Sequence, residues 1–215
     1  MPKLENQPEK PKKGAAAGLV QKARDKATEL RRQLILQAAV QCFIDQGYHQ
    51  TGIRDIARQA GVSLGNLYNH FPGKHDVLVE IARMERVELE PFLKILAGRG
   101  APDRVLDRFI GAYGKYLAQP DNVILSLECA GEAIRQGDIA ELFLENRKLL
   151  VSALAEILER GADAGSFRSL ASPASAAQMI VDLIEGAAYR AVLENIALKK
   201  SQAALKDFIS GAVWA

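Results

Sequence analysis

The sequence has few of the residues that disulfide bonds, metal sites and catalysis require. Its two cysteines, Cys42 and Cys129, lie far apart in predicted helices and are expected to be free, buried thiols in a reducing compartment. The sequence contains no C-x-x-C or H-x-x-x-H pair and no phosphate-binding glycine loop. These absences argue against an enzyme and predict neither a cofactor nor a metal.

Long apolar runs and strand-like patterns are also missing. No stretch reaches the roughly 20 apolar residues that a membrane-spanning helix needs. The lysine-containing N-terminus has no apolar segment followed by a cleavage site, so nothing in it indicates export. Alternation of apolar and polar residues is absent throughout. We therefore expect an all-α, cytoplasmic protein without a membrane partner.

Apolar residues nevertheless make up 48% of the sequence, and they recur at helical spacing in nine segments. Three predicted helices fall in residues 21–76, which we call the head, and six fall in residues 77–215, the body. The first helix is predicted to start between Gln21 and Thr28 and to end at Gln46, with one apolar stripe for packing. The sequence thus predicts a small three-helix domain joined to a larger helical one.

The net charge of +2 hides a difference between these two parts. Residues 1–76 contain 12 Lys or Arg and 7 Asp or Glu, whereas residues 77–215 contain 16 and 19. A basic head on a mildly acidic body is typical of a nucleic-acid-binding protein. Residues 1–20, rich in Pro, Lys and Ala, are predicted to be a disordered basic arm, which either stays in solvent or reaches into a minor groove.

The stretch TGIRDIARQAGVSLGNLYNHFPGK indicates how the head would bind DNA. Apolar residues at helical spacing predict a first short helix capped by Thr51, and Gly61 tolerates the positive φ that follows a helix end. Ser63 is predicted to cap a second helix by accepting the N–H of Asn66, and Pro72 ends that helix at the residue before it. Two short helices joined by a glycine-containing turn are the signature of a helix-turn-helix.

An ordinary helical hairpin would share this spacing, so the residue types on the second helix matter. Leu67 lies on one side of that helix, whereas Gly65, Tyr68 and Asn69 lie on the other. The free face therefore carries small and hydrogen-bonding groups, and Gly65 would let a DNA backbone approach closely. This composition favours a DNA reader over a hairpin packed inside a bundle.

The same stretch resembles the DNA-binding domain of the TetR family of bacterial repressors, in the shared pattern of DIA, AGVS, G-x-LY, F and K. The resemblance is strong over residues 31–79 and extends beyond them in helix count only. Leu64 stands where many relatives place a Lys, so an apolar contact such as a thymine methyl group is expected there. The resemblance implies backbone contacts from Thr51, Tyr68 and Lys74, and groove contacts from Leu64, Gly65, Asn66, Asn69 and His70.

The helix that follows Pro173 is rich in small residues, which permit close approach of a second helix. An Ala-rich internal face would have the same composition. Helix-turn-helix proteins usually pair to read two half-sites, and the resemblance implies a dimer interface formed by the last two long helices. We therefore expect a homodimer.

Polar groups within otherwise apolar stripes of the body suggest a site for a small-molecule effector. Met84, Tyr113, Glu128 and Asn146 are the candidate ligand-binding residues, because effector cavities combine apolar walls with a few oriented polar groups. Each of them taken alone fits a core or interface position better than a ligand site. If Glu128 faces the cavity, it would favour a cationic ligand, since an unpaired buried carboxylate is costly.

Pro91 lies inside a long helix predicted over residues 74–96 and is expected to kink or split it. A ligand in the body could displace the start of this helix and so change the spacing of two heads. Together these features predict a sequence-specific transcriptional regulator, a repressor released from a palindromic double-stranded DNA operator by a small molecule.

Two other functions remain open from the sequence. An all-α enzyme of the transferase type would fit the helical pattern, although it would leave the exposed face of residues 63–70 unexplained. A protein that binds DNA without sequence preference would fit the same helix-turn-helix. Binding to selected and random DNA with equal affinity would identify the second of these.

Overall fold

A computed structural model describes the backbone of residues 13–215 and the side chains of residues 21–215. This part of the chain is helical apart from short connections and one isolated bridge between Phe167 and Trp214, which confirms the predicted all-α fold. Within it, no helix combines the length and the apolar content that crossing a membrane requires. The helices are α1 Lys13–Gln46, α2 Ile53–Gln59, α3 Leu64–Tyr68, α4 Lys74–Leu96, α5 Pro102–Leu117, α6 Pro120–Ala133, α7 Gly137–Asp163, α8 Pro173–Leu193 and α9 Leu198–Val213.

The first helix is longer than predicted. It ends at Gln46 as expected but begins at Lys13, so it takes in residues 13–20 of the predicted arm. Three consecutive alanines, Ala15–Ala17, account for this extension, because alanine has the highest intrinsic helix propensity. Residues 1–12, and with them the rest of the predicted basic arm, lie outside the described part of the chain.

The turn between α2 and α3 follows the predicted geometry. Gly61 has a φ of +65°, and the Ser63 side chain accepts a hydrogen bond of 3.1 Å from the N–H of Asn66. The start of α2 differs, because Gly52 is its N-cap and donates its N–H to Asp55 at 2.9 Å, so Thr51 does not cap this helix. The second helix is also shorter than predicted, and α3 ends at Tyr68.

The head has its own hydrophobic core, but this core extends into the body. Phe43 of α1, Ile56 of α2 and Leu67 of α3 are completely buried against one another. The same cluster includes Ile81 from the second turn of α4 and Ile139 from the start of α7. The helix-turn-helix is therefore packed directly on elements of the body, and movements of α4 or α7 act on it without an intervening linker.

The body is a helical bundle around α7, which packs against α4, α5, α6 and α8. Its core contains fully buried residues such as Phe109 of α5, Leu154 of α7 and Ile184 of α8. Helix α4 runs through Pro91 as one continuous helix, so the predicted split does not occur. Pro91 and Val87 are both exposed, and the carbonyl group that loses its helical partner at this proline therefore lies towards solvent.

Candidate nucleic-acid interface and ligand cavity

Helix α3 presents the polar face that the sequence predicts. Tyr68 has 48% of its surface exposed, and Gly65 and Asn69 are exposed beside it, while Leu67 on the opposite side is completely buried. Apart from its chain neighbours and the backbone of its own helix, no described atom lies within 4 Å of the position that a Cβ of Gly65 would occupy. The helix is thus anchored by one apolar side chain and leaves an open surface that a DNA groove could contact.

Three further predicted groove residues lie half-buried at the edges of this surface. They are Leu64 at the start of α3, Asn66 in its middle and His70 just after its end. Among the described residues, the side-chain oxygen of Asn66 has no hydrogen-bond partner. A buried oxygen without a donor is costly, and a donor on a bound molecule would satisfy it.

Thr51 does not belong to this open surface. Its side chain is only 1% exposed, and its hydroxyl group lies 2.8 Å from the carbonyl oxygen of Gly47 and 3.1 Å from that of Cys42. A hydroxyl group has one proton to donate, and here it is used within the head. The predicted contact of the Thr51 side chain with the DNA backbone is therefore corrected, and its role is to close the connection between α1 and α2.

Lys74, at the first position of α4, is also held within the protein. Its ammonium group donates to the carbonyl oxygen of Tyr48 at 2.6 Å and lies 4.2 Å from the centroid of the Tyr48 ring. Burial lowers the pKa of Lys74, and the nearby Glu132 carboxylate opposes that shift. Lys74 therefore fastens α4 to the α1–α2 connection, and its predicted phosphate contact stays a prediction.

Glu128 of α6 contacts the head and not a cavity. One of its carboxylate oxygens accepts the backbone N–H of Tyr48 at 2.7 Å, and the carboxylate also lies against Gly47, whose φ is +82°. The prediction that Glu128 faces a ligand is thus corrected. Its spacing within α6 identified a polar position correctly, but which neighbour it faces depends on a residue 80 positions earlier in the chain.

A second α6 carboxylate, Glu132, extends this contact. Its side chain is 4% exposed, and it lies 2.8 Å from the imidazole of His49 in the head. Arg135 and Gln136, in the connection between α6 and α7, also donate to it. Several donors around one buried carboxylate compensate for its loss of hydration. The carboxyl-terminal half of α6 is therefore bound to the head by two acidic side chains.

The start of α7 makes a third polar contact with the end of the head. His75 of α4 lies 2.6 Å from the carboxylate of Asp138, and this hydrogen bond is the main reason why the pKa of Asp138 is lowered. We use the term junction for the six residues of these contacts. They are Tyr48, His49 and His75 on one side and Glu128, Glu132 and Asp138 on the other.

A cavity of about 420 Å³ lies next to the junction, and its walls come from both the head and the body. Most of the lining is apolar, as is typical of small-molecule sites. The lining residues are Leu36, Gln37 and Val40 of α1, Ile81, Ala82, Met84, Glu85 and Glu88 of α4, Tyr116 and Leu117 of α5, Asn122, Leu125, Ser126 and Cys129 of α6, and Ile139 and Phe143 of α7.

Only one of the four predicted ligand residues, Met84, lines this cavity. Tyr113 is 5% exposed and stacks on Phe109 within the body core, with ring centroids 5.5 Å apart, so its predicted ligand contact is corrected. Tyr116, one turn further along α5, lines the cavity in its place, and burial raises its pKa to about 12. Both tyrosines follow the same helical pattern, and only the packing of neighbouring helices distinguishes them.

Asn146 does not line the cavity either, but it positions a residue that does. Its side-chain amide donates to the carbonyl oxygen of Ala82 and to the carboxylate of Glu85, both at 3.1 Å. Burial raises the pKa of Glu85, and the Asn146 hydrogen bond opposes that shift. Sequence reasoning missed Glu85, although its position midway between Ile81 and Leu89 on one helical face was a usable signal.

The cysteines do not form a reactive or metal-binding site in the described part of the chain. Both are free thiols, as predicted; Cys42 is buried in the head core, whereas Cys129 is half-buried and lines the cavity. Burial raises the pKa of Cys129 to about 12, so the thiol is protonated at neutral pH and a poor nucleophile. The described residues contain no group of three or more His, Cys, Asp or Glu arranged to hold a metal.

Solved structures share this arrangement of helices. A transcriptional regulator from Saccharomonospora viridis in complex with choline superimposes with a TM-score of 0.76 at 23% identity, covering 86% of this chain and 97% of that one. The regulator FadR from Bacillus subtilis in complex with stearoyl-CoA gives a TM-score of 0.71 at 24% identity, covering 82% and 96%. At these identities the similarity shows a common fold.

Sequence comparisons identify the family. Residues 35–81 match the model for bacterial regulatory proteins of the tetR family, and residues 103–213 match the model for the C-terminal domain of BetI-type transcriptional repressors. The transcriptional repressor KstR2 of Mycolicibacterium smegmatis is 30% identical over 149 residues, which are 64% of this chain and 68% of that protein. This family consists of regulators and not of enzymes, which excludes the transferase alternative. The chain belongs to the TetR family and is a DNA-binding transcriptional regulator.

Proposed function

We propose that the protein is a homodimeric repressor that acts in the cytoplasm, binds a palindromic operator and is released from it by a small molecule. The observation that carries this proposal is the position of the cavity. Three of its lining residues, Leu36, Gln37 and Val40, belong to a helix of the head, and the others belong to the body. A molecule that fills this space contacts both parts at once and can change how they fit together.

Helix α3 is the element that would enter the major groove. The exposed Gly65 and Asn69, together with Leu64, Asn66 and His70, are proposed to face base edges, and Tyr68 and Lys74 to face phosphates. The buried side-chain oxygen of Asn66, which has no donor among the described residues, supports a contact with a base amino group.

The outer surfaces of α8 and α9 are proposed to form the dimer interface. Exposed apolar side chains cluster on these two helices, with Leu193 at 67% and Phe208 at 64% exposure. A groove between the helices is lined by Gly186 and Ala187 among others, which would allow a second copy to approach closely. Several exposed large apolar side chains on neighbouring helices are typical of protein–protein interfaces.

Helix α6 is proposed to carry the signal between the two sites. One face of α6 lines the cavity with Asn122, Leu125 and Cys129. The neighbouring face holds the head through Glu128 and Glu132. A ligand that shifts α6 must therefore strain or break the junction, whereas the intact junction holds the head in one orientation.

The required coupling is modest in energy. A ligand changes operator affinity only through its different affinities for the two states of the protein. A hundredfold weakening of operator binding needs about 2.7 kcal/mol, and DNA must then weaken ligand binding by the same factor. One or two charge-assisted hydrogen bonds, each worth roughly 1.5–3 kcal/mol, are sufficient for this.

Relatives with the same fold support an organic effector. The regulator from Saccharomonospora viridis was solved with choline, and FadR from Bacillus subtilis was solved with stearoyl-CoA. Since those molecules differ in charge and size, the chemical class bound by this chain depends on its own cavity residues.

Selection of bound fragments from genomic DNA tests the operator. We expect a palindrome whose half-sites lie about 34–36 Å apart, or a multiple of that distance, on one face of the duplex. Specific binding is expected to exceed binding to random DNA by at least roughly a thousandfold. Equal affinity for selected and random DNA would instead identify a protein without sequence preference.

Gly186→Glu tests the dimer. Apart from its chain neighbours and the backbone of its own helix, no described atom lies within 4 Å of the position that a Cβ of Gly186 would occupy, so the protomer should fold normally. A charged side chain in a closely packed dimer interface should produce monomers and abolish operator binding. Gly137→Glu, at an equally open position at the start of α7, is the matched control. Sedimentation velocity measures the oligomeric state of the two variants. A Gly186→Glu protein that is still dimeric would contradict this interface. Ala188 is unsuitable for the same test, because it is buried within the protomer.

Glu128→Ala tests the signal path. Glu128 contacts the head and does not line the cavity, so ligand affinity in the absence of DNA should be unchanged. The effect of ligand on operator affinity should fall, because one connection between α6 and the head is lost. Glu141→Ala, an exposed residue of α7, serves as control. Undiminished release of the operator from the Glu128→Ala protein by a ligand would show that the signal takes another route.

A further inference from the structure

The cavity wall carries acidic side chains without basic ones. Glu85 and Glu88 belong to the lining, and none of the lining residues in the described part of the chain is Lys, Arg or His. The other titratable groups there are Tyr116 and Cys129, which are neutral at physiological pH because burial raises the pKa of each to about 12. The electrostatic potential of the cavity is therefore negative when the two carboxylates are ionised.

Glu85 is held in place without a cationic partner. Asn146 donates to one of its carboxylate oxygens at 3.1 Å and so fixes the orientation of the group. The Arg147 guanidinium lowers the pKa of Glu85 through its charge, but it forms its hydrogen bonds and salt bridges with Asp182 and Glu185. Within the described part of the chain, no Lys, Arg or His forms a salt bridge with Glu85. A half-buried carboxylate with neutral donors only is unusual in a protein interior, where charges are normally paired.

The surrounding wall suits an organic cation. Tyr116 and Phe143 contribute aromatic rings and Met84 contributes a polarisable thioether. Aromatic faces attract ammonium groups, while the apolar remainder of the lining accommodates a hydrocarbon tail.

We propose that the cavity binds a cation with an apolar tail, such as a substituted ammonium compound, and that Glu85 is the residue that pairs with its positive charge. This inference rests on the proposed function only in taking the cavity as the effector site. An anionic ligand would bring a like charge to the two glutamates, and a neutral one would leave Glu85 unpaired in a less hydrated site. Glu88, which is exposed, contributes the weaker attraction because solvent screens it.

Three probes with the same hydrocarbon tail separate charge from hydrophobicity. They are octyltrimethylammonium, octanol and octanoate, measured by calorimetric titration against the full-length protein in the absence of DNA. We expect the cation to bind at least about tenfold more tightly than the alcohol and the carboxylate to bind most weakly. Equal or tighter binding of octanol or octanoate would overturn the proposal.

Glu85→Gln assigns the effect to one residue. The substitution keeps the size of the side chain and an oxygen that can accept from Asn146, but it removes the charge. We expect affinity for octyltrimethylammonium to fall by about tenfold while affinity for octanol is unchanged. Glu90→Gln is the matched control, since Glu90 is an exposed residue of the same helix that pairs with Lys94 and does not line the cavity.

Stability gives an independent readout of the same residue. Because burial disfavours the charged form of Glu85, the Glu85→Gln protein without ligand should unfold at a higher temperature than wild type. The cation should stabilise wild type more than it stabilises this variant.

If both proteins bind the cation equally well, Glu85 is not the recognition residue and the proposal fails. If the cation binds as expected and operator affinity does not change, the cation site stands and the switch under the proposed function fails.

Discussion

The two surfaces of the head differ in the kind of residue they use. The surface formed by α3 is open and carries uncharged groups, with Tyr68 and Asn69 free of hydrogen bonds to other described side chains. The junction has buried members, Tyr48 and Glu132, beside exposed ones, and it uses carboxylates, imidazoles and a backbone N–H that bind one another. The difference shows that a polar residue can lie near a helix-turn-helix without contacting DNA. Thr51 was predicted to contact DNA beside α3, but its hydroxyl group instead stabilises the connection between α1 and α2, next to the junction.

The largest effect is expected from removing the buried carboxylate of the junction. Glu132→Ala leaves the donors of His49, Arg135 and Gln136 without their acceptor and should lower the free energy of unfolding by roughly 2–3 kcal/mol. Urea denaturation measures this, with Glu141→Ala as an exposed control. A change within about 0.5 kcal/mol would mean that the junction holds the head weakly.

Thr51→Val is expected to have the next largest effect on stability. It replaces a buried hydroxyl by a methyl group of similar size and leaves the Gly47 and Cys42 carbonyls without this donor, at a cost of about 1–2 kcal/mol. Thermal unfolding followed by circular dichroism should show a lower Tm. At temperatures well below the Tm, operator affinity should stay near that of wild type. Normal stability with much weaker DNA binding would show that Thr51 contacts DNA after all.

Tyr68→Phe should show the opposite pattern. The hydroxyl group of an exposed residue contributes little to folding, so the free energy of unfolding should change by less than about 0.5 kcal/mol. Loss of a phosphate hydrogen bond should weaken binding to all DNA sequences by roughly 1 kcal/mol. Fluorescence anisotropy with operator and random duplexes measures both affinities. A stability loss without an affinity loss would place Tyr68 with the structural residues.

The smallest effect concerns the pair of His75 and Asp138, which lies at the exposed edge of the junction. The pKa of Asp138 is lowered in the folded protein from its usual value of 3.8, chiefly by the hydrogen bond to His75. A lowered acid pKa stabilises the fold above the unfolded value and loses that contribution as pH falls through the folded value. His75→Gln should therefore reduce the Tm slightly at pH 5, and the difference from wild type should shrink below pH 3.8. A difference that is independent of pH would show that the imidazole acts through packing.

Local chemistry was sufficient to predict the helix-turn-helix. The positive φ at Gly61, the Ser63 cap and the division of α3 into a buried side with Leu67 and an open side with Tyr68 all depend on residues within a few positions of one another. Such short-range preferences are encoded in residue type and spacing. The predicted helix ends were less accurate: α1 begins at Lys13 and α3 ends at Tyr68. Helix ends also depend on capping and on helix propensity outside the apolar stripe.

The sequence by itself determined the all-α class, the number of helices in the described part and the residues on the open face of α3, because helical periodicity and turn chemistry are local. Only the tertiary structure decided which polar side chains meet. Periodicity places Glu85, Glu128 and Asn146 at inward positions of their helices, but it does not say what lies opposite them. Residues about 60 to 80 positions away in sequence supply those partners, so that Glu128 binds the head at Tyr48, and Asn146 orients Glu85 at the cavity.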